Sequence, residues 1–393
     1  MVMRDDEAPD RLAHVNDSTV FKSLLDPQTK LLAKQLYSAS SQARQHLLSR
    51  LYGPYGDPFA VFTAPTGWKP KKSPHTHVYH ELIMLLLNLT AASMVVEVGS
   101  YIGGSSERLA VAIKQHALGS VRDAAGLLCI DPFVGDLTMW TNIMGPPRSG
   151  QHIDHPRATI NPSHEHWLLM KGGHPRLYEQ WMINIAGAGL QNIALPMAAT
   201  STVGLKAIGQ LQRYQGPEAL KGIRERERLP QIDLLFLDAS HEEDETYIEL
   251  ELAWRILAPT GILFGDDFNL FWPGVTKAVR RFALAHQDEL ANQSLMSLQR
   301  LPSEPRQKAS DWTQPVPGLV VEHPQDSSHR VAHWIIFKRP RPRVRRRHTR
   351  MSTGQNTSHR SGMLFAPPPS AAPMRPPLTG THGGMVIQHA SVL

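Results

Sequence analysis

The stretch from Ile232 to Asn269 constrains the fold more than any other part of this 393-residue chain. It holds two apolar runs that each end in acid: Ile232 to Leu237 runs into Asp238, and Ile262 to Phe264 runs into Gly265, Asp266 and Asp267. Short continuous apolar runs of this kind mark strands buried on both faces. Between them Tyr247, Leu250, Glu251 and Trp254 recur at helical spacing over Asp244 to Leu257. Pro259 and Gly261 are expected to stop that helix before the second strand. A strand, helix, strand unit makes its two strands parallel, so Asp238, Asp266 and Asp267 converge at the carboxyl edge of the sheet, where open α/β folds bind ligands. Three carboxylates at one edge repel one another unless a cation or protons neutralise them.

Upstream, Met94 to His116 reads as a β-branched strand, a tight turn with Gly99, Gly103 and Gly104, and a helix carrying Leu109, Ala110 and Ile113. The glycines let the backbone pass close to a ligand, and the first helical turn offers free N–H groups. After a second strand, Gly126 to Ile130, Asp131 stands where an α/β nucleotide fold puts the acid that holds a ribose. A third strand is expected at Asn192 to Met197, with helices at Val78 to Leu89, Val203 to Leu211 and Gly274 to Leu284. Gly318 to Glu322 and Val331 to Lys338 read as an antiparallel strand pair that finishes the sheet. This alternation sets the class as α/β.

Composition adds boundaries. An apolar content of 41% is enough for a core, and the lone Cys129 permits no internal disulfide, which argues for a reducing compartment. The N-terminus lacks an apolar signal region, and the run around Leu82 to Leu89 is too short to span a bilayer, so a cytoplasmic location is expected. From Lys338 onward the chain carries ten Lys or Arg and no acid; taking these from the net +6 leaves −4 for everything before. The basic balance therefore belongs to a tail, and contact with nucleic acid or an anionic surface is expected only there. The reading divides the chain into an N-terminal helical extension and linker (1–76), a main domain (77–338) and a Pro-rich, basic, disordered tail (339–393). Lys30 to Leu51 is apolar enough for helix, and Gly67 to Thr76 reads as a loop. The long connection from Pro132 to Gln191 has the length of a lid or substrate wall. Its His164 and His166 read as polar surface, and Lys221 to Arg228 as a solvated charged face. Trp140 and Trp272 stay open between packing and substrate wall, and Asp136 is unassigned.

The turn Glu97 to Ser105 departs from the nicotinamide G-x-G-x-x-G, because its second glycine falls four positions after the first. It resembles instead the first motif of class I S-adenosylmethionine-dependent methyltransferases. The series LDASH, GDDF and WPGVTKAVRRF is similar to the small-molecule O-methyltransferases of the methyltransferase-24 type, relatives of the metal-dependent macrolide sugar O-methyltransferases and, more distantly, of catechol O-methyltransferase. The resemblance covers about Met94 to Phe282, with a weaker echo at His333 to Lys338. It implies a Rossmann-like sheet, mostly parallel with an antiparallel C-terminal pair.

By that resemblance Glu97, Gly99, Tyr101, Gly103 and Ser105 line the amino-acid end of S-adenosylmethionine, Asp131 binds its ribose, and Asp238, Asp266 and Asp267 hold Mg²⁺. Hard carboxylate oxygens suit that ion. Catechol enzymes carry Asn at the position of Asp267, so this site has one more negative charge. His241 stands where the macrolide-type relatives have a catalytic histidine, which implies a general base; an unperturbed imidazole is largely neutral at pH 7. From spacing alone, His241 is equally a surface histidine at a strand end; Asp238 and Asp266 could be helix caps, a use that three carboxylates at two adjacent strand ends disfavour. The expected activity is Mg²⁺-dependent O-methylation of a hydroxyl on a sugar- or polyol-like small molecule. A metal-dependent hydroxylase-like enzyme on the same fold and a non-catalytic binding protein stay open, as does a homo-oligomer.

Overall fold

The computed structural model describes residues 41–73, 78–120, 124–140, 164–213, 229–269, 271–291, 316–322 and 332–340. The part of the Lys30 to Leu51 expectation before residue 41, the charged run 221–228 and the basic tail from residue 341 lie outside the described residues. In chain order the elements are α1 (Gln42–Leu51), α2 (Pro58–Val61), α3 (His80–Thr90), β1 (Met94–Val98), α4 (Gly104–Ser120) and β2 (Gly126–Asp131). They continue with α5 (Leu137–Trp140), α6 (His164–Leu168), α7 (Leu177–Gly187), β3 (Ala194–Ala198), α8 (Ser201–Arg213) and β4 (Ile232–Leu237). Last come α9 (Glu243–Ile256), β5 (Leu257–Gly265), α10 (Pro273–Ala285), β6 (Leu319–Glu322) and β7 (His333–Phe337).

The seven strands lie in the order β3-β2-β1-β4-β5-β7-β6. The first five run parallel, and β7 is antiparallel to both β5 and β6. From β1 the chain winds outward to β2 and β3, then returns to β4 and β5 on the other side. The crevice of such a sheet therefore opens between β1 and β4. Register aligns the strand ends there: Val98 stands opposite Ile130 and Leu237, and Leu237 opposite Gly265.

Alternate strand residues face opposite layers. Val95, Leu127, Cys129, Leu234 and Phe236 pack against α3, α4 and α7, while Val96, Val98, Leu128, Ile130 and Leu235 pack against α8, α9 and α10. Because both faces are covered, the strands are apolar throughout rather than alternating. The 67–73 segment has no regular structure but is pinned to α7: Gln180 Nε2 donates to Lys69 O at 3.0 Å, and Lys71 N donates to Asn184 Oδ1 at 2.7 Å. The described part of Val78 to Leu89, and the helices expected at 203–211 and 274–284, form within a few residues of the expected bounds.

One expectation needs correction. α9 ends at Ile256 and β5 begins at the next residue, so Pro259 and Gly261 lie inside the strand rather than ahead of it. β5 pairs with β4 at Ile232↔Leu257, and the register then jumps to Leu234↔Ile262. The surplus residues form a bulge around Thr260 (φ 76°), and a proline there removes no ladder hydrogen bond that the sheet needs.

Candidate active site

Two groups of side chains meet at the carboxyl edge. The first is built on the turn between β1 and α4. Gly99 has φ +89°, and a Cβ on it would lie 1.7 Å from the carbonyl oxygen of Asp238, so only glycine lets this turn sit on the end of β4. Glu97 is fully buried beneath the turn and accepts from Ser100 Oγ at 2.9 Å and from Ser106 Oγ. Burial pushes its carboxyl up, partly offset by these hydroxyls. Trp181 Nε1 in turn donates to Ser106 Oγ at 2.9 Å. Asp131, at the end of β2, accepts from the backbone N–H groups of Ser100 and Tyr101, each at 2.8 Å, and of Phe133 at 2.5 Å. Burial raises it, and those three donors pull the other way. Tyr101 adopts φ +47°, and its hydroxyl donates to Trp167 O at 2.6 Å, tying the turn to α6. Ser105 is buried in the first turn of α4.

The second group stands at the ends of β4 and β5. Ligand-type atoms of Asp238, His241 and Asp267 all lie within 4.8 Å of one another. His241 Nε2 is 3.0 Å from Asp267 Oδ2. Asp267 is a non-glycine residue at φ 58°, a conformation that concentrates at functional sites. Asp266 is buried behind this trio, facing Asp238 closely enough to share a proton, and its Oδ1 has no partner among the described residues. Burial, and then the neighbouring carboxylates, push both Asp238 and Asp266 up. Asp238, His241, Asp266 and Asp267 line a small cavity with Ser240.

Of the three expected ligand acids, Asp238 and Asp267 converge with His241, while Asp266 lies outside that group beside Asp238; the chemistry of these donors suits a hard divalent cation. The donors are carboxylate oxygens that push one another up, His241 offsets them in part, and the buried Oδ1 of Asp266 has no partner among the described residues.

His241 differs from its sequence expectation in charge. Burial pulls the imidazole down, but Asp267, Asp238 and Asp136 outweigh it and hold it at about 9. It is therefore protonated at neutral pH while those carboxylates remain uncompensated. Trp272 packs on its ring, with centroids 4.0 Å apart at 33°, so Trp272 walls the histidine. Two neighbours went unassigned in the sequence. Asp136 Oδ2 lies 3.6 Å from His241 Nδ1. Glu249 on α9 is buried and accepts from Ser240 N at 3.3 Å; burial first, and Glu245 less, push it up to about 7 against the pull of Ser201 and Ser240. The helical period of α9 marks Glu249 as inward-facing, which was the available signal.

Among the described residues no helix is long and apolar enough to cross a membrane. No curated protein sequence matches this chain. Solved structures similar to it include an O-methyltransferase from Bacillus cereus in complex with SAH, at 12% identity and TM-score 0.35, covering 83% of this chain and 97% of that one. Another is the O-methyltransferase TomG from Streptomyces achromogenes, involved in tomaymycin synthesis and in complex with SAM, at 15% identity and TM-score 0.33, covering 81% and 94%. Superpositions this loose carry no argument about the chemistry of this chain. The family model described as a methyltransferase domain matches residues 96–268, which run from β1 through the glycine turn to the residue after Asp267. The strand order and the acid-lined edge described above agree with that match, which covers less than half of the chain.

Proposed function

We propose that the domain transfers the methyl group of S-adenosylmethionine to a hydroxyl of a sugar- or polyol-like small molecule, with Mg²⁺ held by Asp238, Asp266 and Asp267. The observation that carries this reading is the cluster of Asp238, His241 and Asp267 beside the Gly99 turn, at the switch point of a methyltransferase sheet. The cofactor would lie along Glu97, Gly99, Tyr101, Gly103 and Ser105, with its ribose toward Asp131. Mg²⁺, when bound, would lower the pKa of the acceptor hydroxyl, orient it, and cancel the carboxylate charge that otherwise keeps His241 protonated. Two neighbouring hydroxyls suit such an ion better than one, which favours a sugar or polyol.

His241 then acts as general base. Its Nε2 takes the hydroxyl proton, the oxygen lone pair forms the bond to the methyl carbon, and the carbon–sulfur bond breaks with its electrons going to sulfur. The sulfonium leaves as a neutral thioether, and the charge passes to the imidazolium. Trp272 covers one face of the ring and keeps water from it.

The test is calorimetric titration with S-adenosylmethionine, with and without MgCl₂, on the intact protein and on Asp238→Ala and His241→Ala, followed by a screen of vicinal diols and sugars for methyl transfer. The wild type should bind the cofactor, Asp238→Ala should lose the Mg²⁺ dependence of turnover, and His241→Ala should bind but not turn over. If the wild type does not bind S-adenosylmethionine, the reading is lost.

A further inference from the structure

His241 is held at both ring edges, and only one of them belongs to the acid cluster. Nε2 faces Asp267 at 3.0 Å, and Nδ1 faces Asp136 Oδ2 at 3.6 Å, an ion-pair distance a little longer than a hydrogen bond. Trp272 covers one face of the ring, so the two nitrogen edges are where its orientation is set.

The Asp136 side is firmly built. Phe133 N donates to Asp131 Oδ1, and Trp140 Nε1 donates to Val134 O at 2.8 Å. Gly135 has φ +77°, and a Cβ there would lie 2.2 Å from Leu168 Cδ2, so the loop is pressed against α6. Met139 N donates to Asp136 Oδ1 at 2.9 Å, which caps α5 and leaves Oδ2 turned toward the histidine.

We propose that Asp136 is a positioning residue for His241: its Oδ2 accepts from Nδ1–H and so presents Nε2, the edge that would take the acceptor's proton, toward the acid cluster. The consequence for catalysis rests on the methyl-transfer reading; the contact itself does not. A carboxylate in this place keeps the proton on Nδ1 when the ring is neutral, which leaves the Nε2 lone pair free. The bland alternative is that Asp136 is only a helix cap.

Asp136→Asn separates the two, because asparagine caps a helix as well as aspartate but removes the charged acceptor. The experiment uses the full chain labelled with ¹⁵N-histidine, with and without MgCl₂, and follows imidazole N–H signals by NMR. The His241 Nδ1–H signal is identified by its absence in His241→Gln. It should be a low-field, slowly exchanging signal in the wild type, persist in Asp136→Glu, and in Asp136→Asn move upfield and exchange with water about tenfold faster, the worth of one charge-assisted hydrogen bond. An unchanged signal in Asp136→Asn, or no protected Nδ1–H in the wild type, overturns the proposal. A wild type that fails to bind S-adenosylmethionine removes the methyl-transfer reading without altering this result, so the two failures are distinguishable.

Discussion

The two halves of the carboxyl edge treat their acids in opposite ways. On the β1 and β2 side, Glu97 and Asp131 are buried among neutral donors: serine hydroxyls bond one oxygen of Glu97, whose Oε1 has no partner among the described residues, and three backbone N–H groups bond Asp131. On the β4 and β5 side, Asp238, Asp266 and Asp267 face one another, with a single protonated histidine as countercharge and one orphaned oxygen. The first half shapes a rigid turn. In the second the acids are one another's neighbours, so protons or a cation must offset their repulsion. Acidic residues along one edge of the sheet thus serve a turn's structure in one place and oppose one another in the other.

The largest expected effect breaks the junction between the halves. Gly99→Ala puts a Cβ into the Asp238 carbonyl in a backbone conformation alanine avoids, and should cost more than about 4 kcal/mol of stability or abolish folding, as read by urea denaturation. Next, 10 mM MgCl₂ should raise the melting temperature of the wild type, by about 2.7 kcal/mol of stabilisation if that is a hundred times its Kd, and leave Asp238→Ala unmoved. An equal shift in both would erase the contrast between the halves.

A comparable effect comes from Glu249, which sits beneath the second half. Its carboxyl titrates near 4.5 when unfolded and about 7 when folded, so folding favours the protonated form. The stabilisation is full below pH 4.5 and lost as pH rises through 7. Wild-type stability should therefore fall by about 3 kcal/mol more than that of Glu249→Gln between pH 4.5 and 8 in denaturant titrations. The smallest effect belongs to the first half: Tyr101→Phe removes one hydrogen bond to Trp167 O and should cost about 1 kcal/mol. A loss as large as that of Gly99→Ala would mean that the turn depends on α6 far more than its contacts indicate.

Much of this arrangement was legible beforehand, for local reasons. The apolar runs at Met94 to Val98 and Ile232 to Leu237 name buried strands, because strands covered on both faces cannot alternate polar with apolar. The acids after them land at the carboxyl edge because parallel strands share a direction. Asp238, Asp266 and Asp267 were the expected ligands; the group whose ligand-type atoms converge is Asp238, Asp267 and His241, with Asp266 outside it. The break at Pro259 was misread because a bulge, which lets a strand absorb a proline, is set by pairing with β4 and leaves no local mark.

By itself, then, the sequence determined the class of fold, the side of the sheet that carries the site and the identity of most groups there, since these follow from short-range periodicity and from the direction of parallel strands. Only the tertiary structure decided which acids meet neutral donors and which meet one another. It also decided that His241 is charged, that Trp272 packs on it, and that Asp136, more than a hundred residues earlier in the chain, stands at its other edge. Burial, hydrogen-bond supply and charge proximity are properties of the folded surroundings, and residues distant in sequence supply them.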